Sequence, residues 1–258
     1  MSFAFSSRNA LCALALATVA FAPVGCGTIP GRPGPGPEVV RPEQVLDFAA
    51  LYKQNCAACH GENGRNGAAI SLANPVYIAV AGEDQLRNVI AKGVPGKLMP
   101  AFAKSAGGML TDDQVSVLAQ GIVKQWGNSS LFAGQILPPY QATLPGNAEH
   151  GFETYSVFCA RCHGANGEGG PADGNAHSSK GKLGSIVDPS YLALISDQNL
   201  RSIVIAGRPD EEMPDWRSDV PQSMPANPMT DQQITDILAW MASKRVANPG
   251  QPYFAHPE

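Results

Sequence analysis

The sequence predicts an all-α protein built from two small tandem domains, and three observations carry that reading. No segment of the 258 residues sustains the period-two apolar alternation of a strand. Thr111-Asp112-Asp113-Gln114 and Thr230-Asp231-Gln232-Gln233 have the form of capping boxes, and each opens an amphipathic helix. The pentapeptide C-x-x-C-H occurs at Cys56-Ala57-Ala58-Cys59-His60 and again at Cys159-Ala160-Arg161-Cys162-His163, with matching segments downstream of each copy. A chain of this length suits two domains better than one.

Taken in chain order, residues 1–25 read as an export signal. Arg8 gives a positive start, and Ala10 to Ala22 is apolar but too short to span a bilayer. Ala20-Phe21-Ala22 has the small-x-small form of a cleavage site, yet Pro23 would follow the cut and obstruct it. Residues 26–42 follow as a tether whose Gly31-Arg32-Pro33-Gly34-Pro35-Gly36-Pro37 run favours extended backbone. Domain one covers 43–127 and domain two 147–246, each with three main helices: one ending in the C-x-x-C-H motif, a short middle one and a capped C-terminal one. Val115, Leu118, Ile122 and Trp126 make the apolar stripe of the first capped helix; Ile234, Ile237, Leu238 and Met241 make that of the second. Between the domains, 128–146 contains Pro138, Pro139 and Pro145 and reads as a linker packed over the surface; 247–258 is a C-terminal tail.

The paired motifs carry the chemistry. Residues i, i+3 and i+4 share one face of a helical turn. Two cysteines so placed can each bond a vinyl group of one haem while the adjacent imidazole reaches the iron, which is the attachment pattern of c-type haem. Cys56, Cys59, Cys159 and Cys162 are the attachment residues, and His60 and His163 the first axial ligands, of two covalently bound haem c groups. A zinc half-site or a disulfide would leave the histidines idle, and only Cys12 and Cys26 remain beyond the motifs. Such small domains bury little apolar area alone, so haem is expected to supply much of each core and the apo-chain to be largely unfolded.

An iron held by one histidine needs a second axial group or stays open to small molecules. Both halves run Gly, x, Pro, three residues, Met-Pro and an aromatic, from Gly93 to Phe102 and from Gly207 to Trp216. Asn74-Pro75-Val76-Tyr77 answers Asp188-Pro189-Ser190-Tyr191, and Leu86-Arg87 answers Leu200-Arg201. Once an insertion around Asn175 to Gly184 is removed, Met99 and Met213 superpose in the repeat, which marks them as the sixth ligands. Met/His coordination raises the reduction potential relative to two histidines. Met224-Pro225 is a second Met-Pro in domain two, and His150 and His177 are nitrogen alternatives; a methionine more often fills core, and a lone histidine more often sits on a surface.

On these residues the chain resembles the class I cytochrome c family twice over, through the haem motif, the Met-Pro loop and the capped terminal helix. Gly151 matches a position where that family often has glycine; Phe48 stands there in domain one, implying altered helix packing. Met99-Pro100-Ala101-Phe102 with Gly107-Gly108-Met109-Leu110-Thr111 is similar to the family's oxidase-linked branch. Haem is attached outside the bacterial cytoplasm in such systems, which agrees with export. Pro23-Val24-Gly25-Cys26 is similar to a lipoprotein box, departing from it at Pro23, and implies lipidation at Cys26; a cleaved soluble periplasmic form and an uncleaved anchor are the alternatives. A diacylglyceryl plus an N-acyl group would hold the protein firmly at a membrane.

Closed coordination implies one-electron transfer rather than substrate chemistry. The expected function is a membrane-tethered di-haem electron carrier, or the cytochrome subunit of a larger complex, passing electrons between redox protein partners. A di-haem peroxidase or thiosulfate-oxidising enzyme would need one open haem, and a haem-based sensor would need an output domain. The net charge of −4 argues against nucleic acid as a partner. Residues 43–127 hold seven basic and seven acidic side chains, whereas 147–246 hold eight basic and thirteen acidic. Asp210, Glu211, Glu212, Asp215 and Asp219 crowd Met213, while Lys92, Lys97 and Lys104 lie in the matching region of domain one. This asymmetry suggests docking surfaces of opposite polarity.

Overall fold

The computed structural model of the protein describes residues 36, 39–170, 183–217 and 228–246. The export signal, Cys26, most of the tether, His177, Asp219, Met224 and the tail lie outside these residues. The described residues from Arg41 onward form one compact unit. Among the described residues it is helical, with two isolated bridges (Ala103 with Leu110, Arg208 with Met213) and no strand; the all-α expectation holds.

In the first half, α1 (Phe48–Asn55) starts where the Asp47 carboxylate accepts the Ala50 N–H at 2.8 Å. The chain breaks step at Cys56 and resumes as α2 (Ala57–His60), which Gly61 ends at a φ of 83°. Asn74 caps α3 (Pro75–Lys92), with Pro75 at the first helical position. Thr111 and Gln114 close a reciprocal capping box on α4 (Asp112–Trp126). The second half repeats the plan as α5 (Ala148–Phe158), α6 (Ala160–His163), α7 (Pro189–Leu194), α8 (Asp197–Ala206) and α9 (Asp231–Ala242), the last opened by the Thr230–Gln233 box.

The middle element differs from the single short helix expected. In domain one, α3 is interrupted at Gly82, which adopts a φ of 72° and a ψ of 163°. Domain two breaks at the same repeat position, where Ile195 is extended and Ser196 caps α8 through the Asn199 N–H. One half uses a left-handed glycine and the other a serine cap, so no shared residue type announces the break.

Each domain packs its first and last helices across the core. Buried Leu51, Tyr52, Leu86, Ile90, Val115, Leu118 and Ile122 fill domain one; Tyr155, Leu192, Leu200, Ile205, Ile234, Ile237 and Met241 fill domain two. The Phe48/Gly151 difference is a compensated exchange. Gly121 and Trp240 each stand ten residues past their capping threonine. In domain one a Cβ on Gly121 would lie 2.0 Å from the Phe48 ring, and Trp126 meets Tyr52 edge-on at 5.1 Å. In domain two Gly151 lets α5 approach the Asp236 carbonyl, where a Cβ would lie at 1.9 Å, and Trp240 packs on Tyr155 at 4.3 Å. The bulky residue has moved from α1 to α9, and each motif tyrosine keeps an indole neighbour.

The linker does more than cover surface. Arg201 on α8 is only 1 % exposed and donates to the Pro139 and Tyr140 carbonyls, to the Thr235 hydroxyl and to Asp231. The Tyr140 carbonyl accepts from Gln198 Nε2 at 2.7 Å, and its side chain lies beside those of Tyr77 and Gln85 of domain one and Ser202 of domain two. Asn74 donates to the carbonyls of Ala206 and Gly207 at 2.9 and 3.3 Å, and Lys97 to that of Ala193 at 3.1 Å. These contacts make a polar seam between α3 and α8.

Candidate haem-binding sites

Each motif is one helical turn. The Cys56 carbonyl accepts from the Cys59 and His60 N–H groups at 3.2 and 3.0 Å, and Cys159 accepts from Cys162 and His163 at 3.1 and 3.0 Å. Both cysteines and the histidine of each motif are therefore tied to one turn. Tyr52, four residues before Cys56, donates its hydroxyl to the Gly61 carbonyl at 2.9 Å; Tyr155 does the same to Gly164 at 2.5 Å. These phenols lock both ends of each motif, a role the repeated spacing signalled without revealing. Gly61 and Gly164 take φ values of 83° and 85°, a region that suits glycine and turns the chain back. The returning loops donate to the motifs, Ala69 N–H to the Cys59 carbonyl and Gly169 N–H to the His163 carbonyl, both at 2.9 Å.

Burial holds both imidazoles below the usual histidine range; for His60 a hydrogen bond with Ile70 partly opposes it. Both rings are thus neutral at pH 7. His60 Nδ1 lies 2.8 Å from the Ile70 carbonyl. A carbonyl only accepts, so Nδ1 carries the proton and Nε2 keeps its lone pair, the state an iron ligand requires. The Ile70 carbonyl is a functional group the sequence did not mark. His163 Nδ1 is buried with no hydrogen-bond partner among the described residues. Burial, with the second cysteine of the motif adding to it, pushes the Cys56 thiol up to about 11 and the Cys159 thiol up to about 12. Thioether attachment leaves its sulfurs uncharged, which suits the buried positions of Cys56 and Cys159 beside a neutral imidazole. Among the described residues no group of three or more His, Cys, Asp or Glu side chains is placed to hold a bare metal ion. The residues present fit covalent haem.

Met99 and Met213 sit in loops of one design. Gly93 and Gly207 end α3 and α8 at φ values of 67° and 64°. A Cβ at Gly93 would come within 2.5–2.7 Å of the Met99-Pro100-Ala101 backbone, and one at Gly207 within 2.5–2.6 Å of Met213-Pro214. Only glycine permits that approach. The Met99 carbonyl accepts the Val94 N–H at 3.0 Å, and that of Met213 the Arg208 N–H at 2.9 Å. Each loop is pinned at its far end, Phe102 N–H to the Ile90 carbonyl and Trp216 N–H to the Ile205 carbonyl. His150 is the third residue of α5, with its N–H held by the Asn147 cap.

Comparison with known proteins agrees with this construction. Residues 43–120 match the family described as cytochrome c oxidase, cbb3-type, subunit III, and residues 148–244 match cytochrome c. The Cbb3-type cytochrome c oxidase subunit CcoP of Azospirillum sp. (strain B510) is 27 % identical over 153 residues, 53 % of this chain and 47 % of that protein. Dihydro-heme d1 dehydrogenase of Pseudomonas aeruginosa is 32 % identical over 111 residues, 42 % of this chain and 22 % of the enzyme. The chain thus spans less than half the length of either relative. A chain of the Kuenenia stuttgartiensis reducing HAO-like protein complex aligns with a TM-score of 0.43 at 17 % identity, over 81 % of this chain and 99 % of that one. With a haem motif in each matched segment, the chain holds two cytochrome c domains in tandem, each carrying one covalently bound haem c.

Proposed function

We propose that the protein is a di-haem electron carrier tethered to the periplasmic side of a bacterial membrane, acting alone or as the cytochrome subunit of a larger respiratory or photosynthetic complex. One observation supports this above others: both sites are built alike, with the same tyrosine lock, the same left-handed glycine after the motif and the same glycine-backed methionine loop. Bound haem supplies one-electron iron chemistry. Cys56, Cys59, Cys159 and Cys162 would hold it, His60 and His163 would offer nitrogen, and Met99 and Met213 would offer sulfur. With both methionines bound, small substrates would have no entry to either iron.

The resemblance to CcoP favours a role beside a terminal oxidase or a comparable acceptor, with electrons from a quinol-side donor. The match to a dehydrogenase gives the enzyme reading its support, but covers less than a quarter of that enzyme. The two readings part on spectra. A carrier shows the far-red methionine–iron charge-transfer band from both ferric haems and binds carbon monoxide slowly. Rapid carbon monoxide binding by the untreated reduced protein would establish an open haem and the enzyme instead.

The anchor is proposed at Cys26. Among the described residues no helix is long and apolar enough to cross a membrane. Cys26→Ser is expected to move the protein from the membrane to the soluble fraction and remove the acyl mass; unchanged fractionation would reject the lipid. For the charge asymmetry, Lys97 already bonds Ala193, Lys104 pairs with Glu43 at 3.5 Å, and Asp215 pairs with Arg217. Reversing Glu211 and Glu212 to Lys should change association rate and salt slope with a basic partner.

A further inference from the structure

We propose that Asn74 of domain one is a positioning residue for the Met213 loop of domain two, so that the sixth-ligand segment of one haem is held by a helix cap of the other domain. The inference rests on the reading of Met213 as a ligand.

Asn74 is 2 % exposed, and both ends of its amide are used. Its Oδ1 accepts from Val76 N–H at 3.0 Å and Tyr77 N–H at 3.3 Å, capping α3. Its Nδ2 donates to the carbonyls of Ala206 and Gly207, across 132 and 133 residues of sequence. Those are end-of-helix carbonyls of α8, which have no partner within their own helix. A carboxylate caps a helix as well as an amide does, and the repeat shows it: Asp188 holds the same position in domain two, is exposed, and accepts from Tyr191 N–H. Only an amide can also donate. The choice of Asn at 74 is therefore explained by the second domain, not by the cap.

The receiving point matters. Gly207 turns the chain out of α8 into the methionine loop, and its Cα lies against the Met213-Pro214 backbone so closely that a Cβ would meet the Met213 oxygen at 2.6 Å. Fixing the Gly207 carbonyl fixes the hinge on which that loop hangs. On the domain-one side, Asn74 ends the short segment that begins at Ile70, whose carbonyl holds His60. Five consecutive residues thus orient the nitrogen ligand of the first haem and brace the sulfur ligand segment of the second.

The test uses full-length holo-protein. Imidazole is titrated into the ferric form while the far-red methionine–iron band is followed, because imidazole must displace the methionine. Met213→Ala first identifies the domain-two share of that band. Asn74→Asp keeps the cap and loses both donors. It is expected to raise imidazole affinity at the second haem about tenfold, the scale of one lost buried hydrogen bond, with the first haem unchanged. Asn74→Ser, which keeps a cap oxygen but cannot reach Gly207, should behave alike and serves if Asn74→Asp fails to fold. Tyr140→Phe loosens the seam away from the loop and should leave imidazole affinity at its wild-type value. Wild-type affinity in the Asn74 variants, or an equal rise in Tyr140→Phe, overturns the proposal. Full band intensity in Met213→Ala would instead remove the ligand reading beneath it.

Discussion

The exchange of Phe48 and Gly151 between the repeats makes a stability claim about two residues at a time. Gly121 exists in the middle of α4 because the Phe48 ring lies on it; mid-helix glycine otherwise costs about 1 kcal/mol against alanine. Gly121→Ala should then destabilise domain one by roughly 2 kcal/mol through overpacking. In a Phe48→Ala background the same change should be neutral or slightly stabilising, since the obstruction is gone and helix propensity remains. Denaturant unfolding of the four proteins gives the coupling energy directly. Additive effects would mean that Phe48 is not what excludes a side chain at 121. The motif tyrosines supply a companion case: Tyr52→Phe loses only the bond to the Gly61 carbonyl and should cost about 1 kcal/mol.

Helices α3 and α8 occupy equal places in the repeat, yet their arginines do unequal work. Arg87 pairs with Glu83 one turn earlier, both side chains more than a third exposed, whereas Arg201 is buried against Asp231, Thr235 and two linker carbonyls. Removing a charge that satisfies buried acceptors leaves them unpaired, so Arg201→Met should cost about 3 kcal/mol. Arg87→Met should cost less than about 1 kcal/mol, as an exposed helix pair does. Equal losses in thermal or denaturant unfolding would contradict the linker's role as part of the domain-two core. This asymmetry was not legible in the sequence, where Leu86-Arg87 and Leu200-Arg201 are twins. What could be read were the features set by local chemistry: the helical turn of C-x-x-C-H, the capping boxes, the apolar stripes and the glycine that each methionine loop requires. What could not be read depends on long-range partners, such as the Ile70 carbonyl behind His60, the Tyr140 contacts and the second use of the Asn74 amide. The Gly82 break escaped for a related reason, because one glycine in a helical pattern marks a break only when the structure around it calls for one.

At the scale of the whole molecule the polar seam turns two domains into a single thermodynamic unit. Asn74, Tyr77 and Gln85 on one side meet Ala206, Gly207 and Ser202 on the other, with Tyr140 of the linker between them. The hydrogen bonds from Asn74 to Ala206 and Gly207 and from Lys97 to Ala193 each contribute about 1 kcal/mol net, so the seam as a whole is worth a few kcal/mol to either partner. It follows that a defect confined to one haem site should be felt in the other domain. Cys159→Ser with Cys162→Ser removes the thioether anchors of domain two alone and should leave that domain poorly folded. Domain one, still loaded with haem, then loses its seam partners. A loss of 1 kcal/mol shifts the midpoint of a domain this size by roughly 4–8 °C, so the thermal midpoint followed at the first haem's Soret absorption should fall by at least that much. In the intact protein the two haem environments should report one shared transition, and Tyr140→Ala should separate them. If the first haem melts at its wild-type temperature after the second site is emptied, the domains fold independently. The seam would then be a contact without thermodynamic consequence.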